Sequence, residues 1–74
     1  MVRVFVNAAP VDAIEGATAL ECVRQWREDE AQAVSAGTRI ITDSRGLPIA
    51  SDSIASAGSI YRTIPSRGRA SGDS

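Results

Sequence analysis

Val2, Val4 and Val6 alternate with Arg3 and Phe5, and this period of two predicts a β-strand with one buried face. Asn7-Ala8-Ala9-Pro10 interrupts the alternation with turn-compatible residues. Residues 11–15 predict an antiparallel return, with Pro10 at its start, where a missing N–H does no harm. Gly16-Ala17 closes this hairpin. Thr18 and Glu21 have the spacing of a capping box, the Thr18 hydroxyl accepting from the Glu21 N–H, which predicts a helix from Ala19. Leu20, Val23 and Trp26 form its apolar stripe, while Glu21, Arg24, Gln25 and Glu28 face water. Glu28-Asp29-Glu30 breaks the stripe. Ala31, Ala33 and Val34 then predict either a continuation or a second short helix, ended by Gly37 in a left-handed cap.

Residues 38–42 are rich in β-branched side chains and predict a strand; Asp43-Ser44-Arg45-Gly46 is a turn signal. Leu47-Pro48-Ile49 is read as its antiparallel return, held to a sheet edge by Pro48. Residues 51–57 form a polar loop with Ile54 as its anchor, and residues 59–64 read as the last strand. Hairpin, helix, hairpin, loop and strand in succession predict an α+β domain. The expected architecture is one mixed sheet of four or five strands on one main helix, ordered β-β-α-β-β-β over residues 1–65. Residues 66–74 are polar throughout and are expected to form a mobile tail. Pairing of the last strand beside the first would make this the β-grasp, or ubiquitin-like, arrangement.

Composition narrows the chemistry. Seventy-four residues allow one domain, because a chain this short buries only about 60% of its unfolded surface. With 43% hydrophobic and 23% charged residues the chain is expected to fold rather than stay disordered. No apolar run approaches the roughly 18 residues of a membrane span, and the opening residues lack the apolar stretch of a secretory signal; a cytoplasmic protein without a membrane partner is expected. One cysteine and no histidine leave no disulfide, no ordinary zinc site and no Ser-His or Cys-His nucleophile. The expectation is a protein that is not an enzyme and holds no cofactor or metal. A net charge of −1 supplies no field for nucleic acid. All eight basic residues are arginine, which pairs with carboxylates in a bidentate way but has no nucleophilic amine.

Val6-Asn7 at the end of the first strand, Gly16-Ala17-Thr18 before the helix and the closing stretch Ala57-Gly58-Ser59-Ile60 resemble the ThiS/MoaD family of small sulfur carriers, with Ser59 where that family usually has aspartate. The likeness covers residues 1–64. Such carriers present a C-terminal Gly-Gly, thin enough to thread the channel of an adenylating enzyme, and carry sulfur there as a thiocarboxylate. This chain has no Gly-Gly and ends Gly72-Asp73-Ser74. The resemblance therefore implies a non-enzymatic β-grasp protein-interaction module related to the carriers. The alternative is a carrier trimmed near Gly68, with Ser66, Arg67 and Gly68 as its processed end. In either case the partner is another protein, an adenylating enzyme or sulfurtransferase in the carrier case.

Arg3, Phe5 and Tyr61, with Arg62 beside them, form the candidate partner surface on the sheet face away from the helix. The inward face of the last strand stays open: either Ile60 and Ile64 point inward and leave Arg62 on the buried side, or Tyr61 and Thr63 are the inward pair. Cys22 reads as a core or boundary residue, and Asp43 with Asp52 as turn residues rather than an acid-base pair. A monomer is expected, or a weak homodimer through the Leu47–Ile49 edge.

Overall fold

The structure, a computed structural model, describes residues 1–66. Strand β1 (Val2–Val6) turns back into β2 (Ala9–Ala13) through the two-residue connection Asn7-Ala8. Both connecting residues have positive φ, 52° and 71°, the conformation of a type I′ hairpin, whose twist matches that of the flanking strands. β2 therefore begins at Ala9, earlier than the alternation alone suggested. The register pairs Phe5 with Pro10. Counting rungs from the turn places this pair between hydrogen-bonded ones, so the missing proline N–H interrupts no bond to β1.

Helix α1 (Ala19–Trp26) starts as its capping residues require, with the Thr18 hydroxyl accepting from the Glu21 N–H at 3.2 Å. Arg27 breaks it in an extended conformation, and helix α2 (Glu28–Ala36) follows, its first turn holding Glu28, Asp29 and Glu30. Three carboxylates near the helix N-terminus favour a fresh start there. Gly37, at φ 87°, caps its end. Of the two alternatives for this stretch, a continuation or a second short helix, the structure has the second, so two helices in succession take the place of one main helix.

Strand β3 (Arg39–Thr42) and strand β4 (Ile60–Pro65) complete a mixed four-stranded sheet in the order β2-β1-β4-β3. β4 runs parallel to β1 and antiparallel to β3. The element order is thus β-β-α-α-β-β. Leu47-Pro48-Ile49 does not form the expected edge strand: an isolated bridge pairs Pro48 with Thr42, and the Ile49 N–H donates to the Ile41 carbonyl at 2.8 Å. With the Asp43 N–H donating to the Leu47 carbonyl at 2.9 Å on the other side, Pro48 occupies a non-hydrogen-bonded position, and its missing N–H faces away from β3. Ile54 is not the anchor of its loop either, being 64% exposed, whereas the neighbouring Ala55 is buried. That loop has a different task. The carbonyls of Ser53 and Ser51 accept the N–H groups of Ala19 and Leu20, donors that the first turn of α1 cannot satisfy itself.

The core lies between the sheet and the helices: Val4, Val6, Val11, Ala13, Cys22, Val23, Ala31 and Ile41 are all buried in it. No helix among the described residues is long and apolar enough to cross a membrane.

Candidate functional site

The register decides which side chains reach the surface. β1 and β4 pair Phe5 with Ile60 and Val6 with Tyr61. Val6 is fully buried, so Tyr61 points into the core with it, and its exposure is only 4%. Thr63 follows on the same side, while Ile60, Arg62 and Ile64 point outward with Phe5 and Arg3. Tyr61 therefore does not belong to the candidate partner surface. The reason is volume. Five of the buried core residues are alanines, Ala13, Ala17, Ala19, Ala31 and Ala55, and a phenol ring fills what they leave. Burial pushes the Tyr61 hydroxyl above its ordinary pKa.

The remaining three predicted surface residues share the outer face of the sheet. Arg3 meets Asp12 across β1 and β2, Nε to Oδ1 at 2.7 Å, and this contact holds the Asp12 carboxyl below the usual range. Phe5 is half-buried, Ile60 is 47% exposed and Ile64 is 36% exposed. Phe5, Ala8, Ser44, Ile60 and Arg62 line an open groove of about 400 Å³. Ala8 and Ser44 come from the turns after β1 and β3, so three separate chain segments build it. Ile60, Ala8 and Ser44 were not among the residues singled out from sequence. The cue for Ile60 was the parallel pairing itself, which carries it outward beside Phe5.

Beneath this face runs a polar chain. Asn7 Nδ2 donates to Thr63 Oγ1 at 2.9 Å, Thr63 Oγ1 donates to Glu30 Oε2 at 2.8 Å, and Arg39 Nε donates to the same Glu30 oxygen at 2.8 Å. It ties the β1 turn, β4, α2 and β3 together. Thr42, opposite Arg62 in the β3–β4 register, is 1% exposed, and its hydroxyl has no hydrogen-bond partner among the described residues.

The other candidates resolve as structural groups. Asp43 Oδ1 accepts from the backbone N–H groups of Arg45 (2.8 Å) and Leu47 (3.0 Å), bonds that lower its pKa and close the turn after β3. Asp52 is exposed and lies in the loop after that turn. Cys22 is buried in α1, and burial raises its thiol pKa. Of the candidate processed end, Ser66 donates its N–H to the Thr38 carbonyl at 2.9 Å; Arg67 and Gly68 lie outside the described residues. Among the described residues no three His, Cys, Asp or Glu side chains converge as a metal site requires. Compared with models of protein families, with curated proteins and with solved structures, the chain has no significant match.

Proposed function

We propose that this chain is a non-enzymatic β-grasp module, related to the ThiS/MoaD carriers, that binds another protein through the outer face of its sheet. The single observation that carries this reading is the apolar strip of half-buried Phe5 with exposed Ile60 and Ile64 on that face, with Arg62 among them. Large apolar side chains on a half-wet sheet, mixed with arginine, have the composition of a partner surface rather than of an idle one. The β-grasp part of the reading is supported by the strand order, with the first and last strands parallel at the centre of the sheet.

A photo-crosslinking amino acid placed at position 60, and in a second protein at position 24 on the exposed side of α1, tests the reading in the native host. The expected result is a discrete heterologous adduct from position 60 and none from position 24. Adducts from 24 alone, or from neither, would remove the outer face as the binding surface. Intact mass of the same preparation separates the trimmed carrier, which would end at Gly68, from the full-length module.

A further inference from the structure

Six arginines fall within the described residues, and five have a carboxylate in reach: Arg3 with Asp12, Arg24 with Glu28, Arg27 with Asp29, Arg39 with Glu30 and Arg45 with Asp43, at 2.7 to 3.8 Å. Arg62 has none among the described residues. It stands at the wall of the 400 Å³ groove, beside the half-buried Phe5 ring and the exposed Ile60. Among the described residues, then, Arg62 is the arginine without a carboxylate in reach, and it lies beside apolar side chains. Arginine binds carboxylates through two parallel N–H bonds, and a carboxylate brought against apolar walls is attracted more strongly than in open water.

We propose that the groove receives an acidic segment of a partner protein, with an Asp or Glu carboxylate on Arg62 and an adjoining large apolar side chain against Phe5 and Ile60. The inference rests on the outer face being the binding surface and adds the chemistry of what binds there. A volume of about 400 Å³ is at the small end of ligand sites, enough for one or two side chains and too little for a folded element. Of the other grooves of similar size, the one between β2 and α1 has Arg24 on its rim facing Glu28 and the one beside β3 has Arg39 facing Glu30, while the one beyond Ala8 shares Arg62 itself.

The test is selection of a random twelve-residue peptide library on the full chain, with the site of each binder mapped by NMR shifts on labelled protein. The expected binders carry Asp or Glu beside Leu, Ile, Met, Phe or Trp and shift the signals of Phe5, Ile60 and Arg62. Arg62→Gln should weaken them about tenfold, and Arg62→Glu should weaken them further. Selection on Arg62→Glu should enrich Lys or Arg instead. Both variants are checked for native spectra, and the milder one keeps the test open should Arg62→Glu fail to fold. Uncharged or basic binders on the same face would overturn this inference while leaving the interaction surface standing. Binders that map elsewhere, or no binders, would overturn both. Self-association lost in Arg62→Gln would name a second copy as the occupant and overturn the proposal.

Discussion

Asn7 and Thr63, 56 positions apart, hold each other by two hydrogen bonds: Asn7 Nδ2 donates to Thr63 Oγ1 at 2.9 Å, and the Thr63 N–H donates to Asn7 Oδ1 at 3.1 Å. The Phe5 and Asn7 N–H groups donate to Ser59 and Tyr61, so the next rung of the parallel ladder calls for an acceptor from the residue at position 7. β1 has turned away by then, and the Asn7 side chain takes the place of its backbone. A double-mutant cycle of Asn7→Gly and Thr63→Val is expected to show a coupling of about 1 kcal/mol in urea unfolding. Glycine keeps the positive φ of the turn and valine keeps the N–H of position 63, so the cycle isolates the bond between the two side chains. Additive single effects would contradict the latch.

Ala8 pays a conformational penalty at φ 71° that glycine escapes. Ala8→Gly is expected to raise stability by about 0.5–1.5 kcal/mol, the left-handed strain removed less the entropy added to the unfolded chain. Thermal or urea unfolding checks it, and a loss of stability would mean that the turn is not type I′ in solution.

The buried Thr42 hydroxyl lacks a partner, so Thr42→Val, of nearly equal volume, is expected to be neutral or to stabilise by up to about 1–2 kcal/mol. Thr42→Ala, which also leaves a small cavity, should do worse than valine. A clear loss with valine would show that the hydroxyl is bonded.

Acid and alkali should act through different groups. The bonds that Asp43 accepts lower its pKa on folding, so in acid the unfolded chain binds more protons. Its stabilising contribution is present above the ordinary carboxylate range, near pH 4, and is lost as pH falls through the lowered value. Asp43→Asn should flatten that acid limb. Burial raises the Cys22 thiol, so its contribution is present below the ordinary thiol pKa and fades as pH rises above it. A thiol reagent should label Cys22 at the rate of global unfolding, and Cys22→Ala should flatten the alkaline limb; fast labelling of the native protein would contradict its burial.

Much of the scaffold was legible because local signals agreed with the tertiary outcome. The valine alternation in β1, the Thr18–Glu21 cap and Gly37 each act over a few residues, and each sits where the pattern placed it. The errors came where distant partners decide. The inward face of β4 stayed open between Ile60 with Ile64 and Tyr61 with Thr63, while the candidate surface placed Tyr61 outward. The pairing with Val6 turns Tyr61 inward, where five of the buried core residues are alanines and leave room for its ring. That pairing removes Tyr61 from the candidate site and brings Ile60 into it. Residues 47–49 looked like a strand by composition, but they pair with β3 through one bridge and the two hydrogen bonds that flank it. The groove was invisible in sequence, since Ala8 and Ser44 carry no signal until two turns bring them beside Phe5.

The facing of β4 underlies every functional statement, because a slip of one residue would exchange its two faces. Nuclear Overhauser contacts on uniformly labelled full-length protein read it directly. The expected result is contact between the Ile60 methyls and the Phe5 ring, with the Tyr61 ring against Val6 inside the core. A solvent-exposed Tyr61 ring, with Ile60 and Ile64 methyls against Val23 of α1, would contradict the account.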